Sequence, residues 1–404
     1  ALAALDQLLG EYPPELPPPP AALLRQCVRA HVSRQVGRVG RELLERLMGP
    51  WRLREELEAL RTLFLLGEAE LLAPFTSSLF EKLDAGVHWE DYYELNFLLQ
   101  ETLPAEGSID AKFPPDAVAV EPAPSEAGSA PASSLVRYGI DSLDGLHFQY
   151  KLPWPLEMII DNSMLYKYNQ VMCFLLKVKR AKRAIDSARS ACWKGRGGGH
   201  LQVVGGALLQ AELVHFVNTL HQYCCDRVLH GAWQELHEGL ESAKSLDQVR
   251  AHHESFLDSI QRQCFVAPDK LWVLIHGRMR ALLGMVLEYC ALARALRPPE
   301  PPGDEDEAEA TALPPAARAK LEAEVKHLEG DWRECSGFLL RVLASKLRVG
   351  HHPHLEDLMQ RLNYNGFYME EDGEGTGGNA SAPASHSAVA GGAAEPIRGA
   401  AGYL

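Results

Sequence analysis

Five groups of residues in this 404-residue chain have types and spacings that chemistry could use. GRGGGH at 195–200 offers glycines for a phosphate cradle. Such a loop works when a strand precedes it, a helix N-terminus follows and a Lys-Ser/Thr pair closes the motif. Here a helical pattern runs into it and no Gly-Lys-Ser/Thr is present, so an inter-helix loop is the expected role. Histidines pair at His252 and His253 and cluster as HHPH at 351–354. Zinc wants three or four convergent ligands, usually i, i+4 on a helix. Adjacent helical residues point about 100° apart, and Pro353 interrupts the second cluster, so ordinary polar histidines are expected. The carboxylates Glu370 and Glu371 and the DEDE run at 304–307 lie in Gly-, Ala- and Pro-rich surroundings that cannot preorganise an acid–base pair. The cysteines, Cys27, Cys173, Cys192, Cys224, Cys225, Cys264, Cys290 and Cys335, form no CxxC pair and read as buried free thiols of a reducing compartment. Nothing matches a nucleophile elbow. The expectation is a protein that is not an enzyme, with no metal, no cofactor and no small-molecule substrate.

The fifth group is KVKRAKR at 177–183, the one dense basic run in a chain of net charge -14. Two roles fit it: a solvated helix face with snorkelling lysines, or an electrostatic contact for an acidic protein partner through Lys177, Lys179, Arg180 and Arg183. The acidic balance argues against nucleic-acid and anionic-membrane binding. No apolar run approaches the roughly 20 residues of a membrane span, and a soluble intracellular product is expected.

The elements that would position these groups are helices. Apolar residues recur at 3–4 spacing over 21–48, 53–66, 71–83, 89–99, 162–191, 207–240, 269–296, 316–347 and 354–362. Ser245 opens SLDQ, a capping box with Gln248 that starts another helix, and Pro268 suits the first position of the helix after it. LRTLFLLGEAELLAPF at 60–75 is more apolar than one helix face can bury, so it serves the core, a partner surface, or both. One stretch breaks the pattern. Leu146, Phe148 and Tyr150 alternate like a short strand, and YKLPWPL then forces extended backbone before the next helix. The expected fold is all-α, an array of helical bundles with a small extended or β element near 146–154. The segments are a linker (1–20), an N-terminal helical group (21–103), a disordered Pro/Ala/Ser/acidic insertion (104–134), a central helical bundle (135–297), an acidic Pro-rich insertion (298–315), C-terminal helices (316–368) and a disordered tail (369–404).

Four blocks, in order, resemble the C-terminal half of the gamma-tubulin complex components. They are LRTLFLLGEAELLAPF (60–75), YKLPWPLEMIIDNSMLYKYNQVMCFLLKVKRAK (150–182), ELVHFVNTLHQY (212–223) with LDQVRAHHESFLDSIQRQCF (246–265), and PHLEDLMQRLNYNGFY (353–368). Their wording leans toward the fifth or sixth component type. Ala69 stands where the family often has glycine and Asn363 where aspartate is common, and the acidic insertions have no counterpart. The resemblance implies a gamma-tubulin-binding subunit of a hetero-oligomer at cytoplasmic microtubule-organising centres, acting in nucleation, with GTP bound by the tubulins. A helical scaffold or tethering-complex subunit without tubulin contact is the rival. The family's N-terminal half is not in this sequence, so binding with poor assembly is expected. The resemblance places the contact in the opening and closing blocks, with Phe64, Leu66, Gly67 and Glu70 facing the partner beside Arg361, Tyr364, Asn365 and Tyr368.

Overall fold

The computed structural model describes residues 20–68, 70–103, 113, 117–123, 139–194, 207–296, 314–349, 353–364 and 366. The readings of the 195–200 loop, the DEDE run, the tail and most of both insertions fall outside these residues, as do Asn365 and Tyr368. Among them are eleven α-helices and one two-stranded sheet, so the all-α class holds.

Among its described side chains, the first helix, α1 (Pro20–Met48), reaches the core near its end, where Leu47 is buried and Leu44 and Met48 pack. Its valine stripe, Val28, Val32, Val36 and Val39, is at least half exposed. Helix α2 (Leu53–Phe64) buries Leu57, Leu60, Leu63 and Phe64. The apolar run then continues through a turn into α3 (Ala73–Ala85), which buries Phe75, Leu79, Phe80 and Leu83. A helix–turn–helix can bury apolar residues on several sides, and this explains the apolar excess of 60–75. Asp91 caps α4 (Tyr92–Thr102), accepting from the amides of Tyr93 and Glu94 at 3.0 and 3.2 Å.

The insertion 104–134, expected to be disordered from its composition, contains a strand. Val118–Pro122 forms β1, antiparallel to β2 (Leu146–Tyr150) with Val120 opposite Phe148. Val118 and Val120 are buried, and so are Phe113 and Ala117. Their alternation was present in VAVEP, hidden by a composition dominated by proline and acid. Two exposed sheet edges would invite further pairing, and two asparagines close them. Asn96 takes both backbone groups of Val120 (2.7 and 2.8 Å), and Asn169 does the same for Phe148 (2.8 and 2.9 Å). After β2 the Trp154–Pro155 bond is cis and a 3-10 turn (Leu156–Met158) aims the chain into the long helix that follows. The Tyr150 hydroxyl donates to Glu56 at 2.7 Å, tying this corner to α2.

Helix α5 (Asn162–Lys194) is the hub, with α2 and the helices α6 (Ala207–Cys224), α8 (Leu246–Gln263) and α9 (Lys270–Ala295) packed on it. The predicted single helix 207–240 is three pieces: α6 (Ala207–Cys224), a π-helical segment (Cys225–Ala232) and α7 (Trp233–Ser242). Before α8 (Leu246–Gln263), Ser245 accepts from the Gln248 amide at 3.3 Å. The Gln248 side chain reaches back one residue further, to the Lys244 amide at 2.6 Å. Helix α9 (Lys270–Ala295) has Asp269 at its N-cap position, without a side-chain capping bond, so Pro268 precedes the helix and does not open it. Helix α10 (Pro315–Val349) lies along α9, and α11 (Pro353–Leu362) closes against α6 and α10. Cys173, Cys224, Cys225, Cys264, Cys290 and Cys335 are free thiols.

Candidate functional site

The opening and closing blocks meet the same eight residues. Arg61, in the last turn of α2, donates to Glu58 at 2.8 Å and to the carbonyl of Leu229 at 3.0 Å, with its guanidinium 5.0 Å from the Trp233 ring centre. Leu229 belongs to the π segment. From α11, Asp357 accepts from Arg227 at 2.8 Å, and Arg361 donates to Asp226 at 2.6 Å and to Asp357 at 2.9 Å. Asp226 and Arg227 are π-segment residues too. Burial raises the Asp357 carboxyl, but the hydrogen bonds from Arg227 and Arg361 outweigh it and the net shift is downward. The hydrogen bond to Asp226 leads the upward shift of Arg361. A π segment leaves wider backbone spacing within a helix and is frequent at functional sites. Here its side chains and carbonyls are the common anchor of the two blocks.

The predicted contact residues separate into core and surface. Phe64 is fully buried, its ring 5.5 Å from that of Tyr168, so it is a core residue and not a surface one. Leu66 is half-buried in a left-handed conformation (φ 55°), and it, not Gly67, makes the reversal after α2. At Gly67 the packing is close instead: a Cβ there would stand 3.2 Å from the Arg61 Cγ and carbonyl oxygen, tighter than an ordinary contact. Glu70 is exposed. Tyr364 is 76% exposed, with its ring 5.6 Å from that of His215, whose Nε2 lies 3.2 Å from the Leu362 carbonyl. The space beneath, lined by Phe216, Ser336, Leu339 and Leu340, is about 10 Å³, room for one water at most.

The basic run is neither a solvated face nor an open contact. Lys177 and Arg180 are buried. Lys177 donates to both oxygens of Asp144 at 2.7 Å. Arg180 donates to the Gly139 carbonyl at 2.7 Å and pairs with Asp84 at 3.4 Å. Arg183, partly exposed, bonds the Ser77 carbonyl and Glu81, both at 2.6 Å. Lys179 is held against α6 with its pKa lowered by burial. Lys177, Arg180 and Arg183 pin α5 to α3 and to the turn before β2. Their partners are 33 to 106 residues away in sequence, which no local pattern reveals.

Sequence reasoning also missed the π segment and the Tyr168–His253 pair, whose hydroxyl and Nε2 are 2.9 Å apart in the core. Family spacing of the blocks carried no sign of the first. His253 within HH was read as polar, and only packing distinguishes it from the partly exposed His252. Among the described residues no group of three or more His, Cys, Asp or Glu is placed to hold a metal, and no helix is long and apolar enough to cross a membrane.

The sequence profile described as "Gamma tubulin complex component C-terminal" matches residues 53–368. The chain is 26% identical over 363 residues to gamma-tubulin complex component 5 of Mus musculus, covering 84% of this chain and 32% of that protein. It is 27% identical to gamma-tubulin complex component 5 of Macaca fascicularis, covering 84% of this chain and 46% of that protein. Against gamma-tubulin complex component 6 of Homo sapiens the identity is 23%, with 86% and 18% covered. The chain thus spans less than half the length of these relatives.

Proposed function

The chain belongs to the gamma-tubulin complex component family, and from that premise we propose that its folded body holds one gamma-tubulin molecule and contributes to microtubule nucleation as a subunit of a hetero-oligomer. It does so by surface contact at cytoplasmic microtubule-organising centres, without chemistry of its own, and GTP stays with the tubulins. Several such subunits side by side would present gamma-tubulins in the geometry of a microtubule end, lowering the entropic cost of the first lateral contacts. The observation that carries the contact surface is the convergence of the opening and closing blocks on one π segment, with Glu70 and Tyr364 left facing solvent. Leu66, Gly67, Arg361, Asn365 and Tyr368 complete the proposed surface. Phe64 acts beneath it, and Lys177 and Arg180 hold the scaffold.

Size-exclusion chromatography of the chain with purified gamma-tubulin tests the reading. Co-elution as a one-to-one complex is expected, weakened at least tenfold by Tyr364→Ala with Glu70→Arg, both at exposed positions where folding should be untouched. Separate elution of the folded chain, or unchanged binding by the double variant, overturns respectively the partner or the surface.

A further inference from the structure

Helix α1 is bare along its middle. Every residue from 28 to 39 is exposed. Val28, Val32, Val36 and Val39, at least half exposed, fall within about 80° of one another on a helix of 100° per residue. A helix uncovered on all sides over three turns is marginal in water, and this one carries further handicaps. Gly37 and Gly40 weaken it. Its arginines repel one another, because Arg25 and Arg29, and again Arg34 and Arg38, stand at i, i+4. Residues 20–41 hold five arginines and no carboxylate. None of the five pairs with an acid among the described residues. Arg34 and Arg41 bond their own helix instead, at the carbonyls of Ala30 (3.4 Å) and Gly37 (3.2 Å). The helix calls for a cover that is apolar along one line and anionic beside it.

The sequence immediately before α1 has that chemistry. Leu2, Leu5, Leu9 and Tyr12 recur at 3–4 spacing and would share a face about 80° wide on a helix. Asp6, Glu11 and Glu15 are the charged side chains of residues 1–19, which contain no lysine or arginine, so -3 stands beside +5. The acidic insertion at 298–313 brings more charge but no large apolar residue before Leu313. The tether also fits. Residues 13–19, five of them proline, span up to about 22 Å at about 3.1 Å per residue. The valine stripe begins about 12 Å along the helix axis from Pro20 and ends about 28 Å from it. So short a connection keeps the segment at high local concentration, and a small contact area suffices.

We propose that residues 2–12 fold back as a helix on the valine stripe of α1, with their carboxylates set against its arginines. The stretch expected as a linker is then the cover of α1. An anionic membrane fits α1 less well, since its stripe has valines where interfacial helices carry bulky Trp, Phe or Leu, and the acidic remainder of the chain is repelled. The contact lies within one chain, uses neither the π segment nor Tyr364, and stands independently of the gamma-tubulin reading.

Amide hydrogen exchange of the 404-residue chain, at about 50 and about 500 mM salt, tests it. Amides of residues 2–12 and 28–39 should exchange at least about tenfold more slowly than in a free peptide, with less protection at high salt. Leu5→Asp/Leu9→Asp should abolish the protection of both stretches while the amides of α5 and α9 exchange as before, which shows that the body stays folded. Val32→Asp/Val36→Asp, at exposed positions, should free residues 2–12. Peptide-like exchange of residues 2–12 in the wild type overturns the proposal. So does protection of 28–39 that survives Leu5→Asp/Leu9→Asp, because another element would then cover α1. Protection of residues 2–12 that vanishes on about 100-fold dilution assigns the cover to a second copy and overturns it as well. Protection of 28–39 that needs phosphatidylserine vesicles does the same.

Discussion

Acid should loosen this fold through one imidazole. His253 on α8 is 2% exposed, in ring contact with Tyr168 and Phe256, with Nε2 2.9 Å from the Tyr168 hydroxyl. Burial pushes its pKa down from 6.5 to about 4, opposed by Asp161 and assisted by Lys167. The folded state therefore keeps the ring neutral while the unfolded chain takes up a proton below 6.5. Stability is fully present above that value and is lost as pH falls toward 4. Between pH 7.5 and pH 5 the linkage amounts to about 2 kcal/mol. Urea unfolding at both pH values, for the wild type and His253→Phe, isolates it. Phenylalanine fills the ring's space but deprives the Tyr168 hydroxyl of its partner, so the variant should start about 1 kcal/mol lower at pH 7.5. Its further loss at pH 5 should be smaller than the wild type's by about 2 kcal/mol. His147, His221 and His276 are also shifted down by burial, but they titrate in both proteins and cancel in the difference. Equal acid losses in the two proteins would refute the reasoning.

Asn169→Leu removes both hydrogen bonds that close β2 at Phe148 and leaves a buried N–H and C=O without partners; a loss of about 3 kcal/mol is expected in urea unfolding. Gly37→Ala should do the reverse. A Cβ there meets nothing within 4 Å, so α1 should gain about 0.5–1 kcal/mol of helix stability, read as added helicity and slower proteolysis of the exposed helix.

The closing block shows how far local pattern reached. Leu355, Leu358 and Leu362 were readable as one helical face, and all three are buried. Which residues of that block face outward was not readable from spacing alone. Arg361 and Tyr364 are three apart, yet one is engaged by Asp226 and Asp357 and the other stands in solvent. In the opening block Phe64 and Leu66 looked equivalent. Phe64 is buried on the inner face of α2, while Leu66, in left-handed backbone two residues on, is only half-buried.

The sequence by itself determined the helices, the strand at 146–150, the Ser245 cap and the order of blocks that marks the family, because each is written in periods or motifs a few residues long. Tertiary structure alone decided the pairing of β1 with β2, the burial of Lys177 and Arg180, the anchoring role of the π segment and the exposure of the α1 valines. Each of those depends on a partner tens of residues away, or on the lack of one. Burial and charge neutralisation are set by what the rest of the chain brings alongside, and a local pattern holds no record of that.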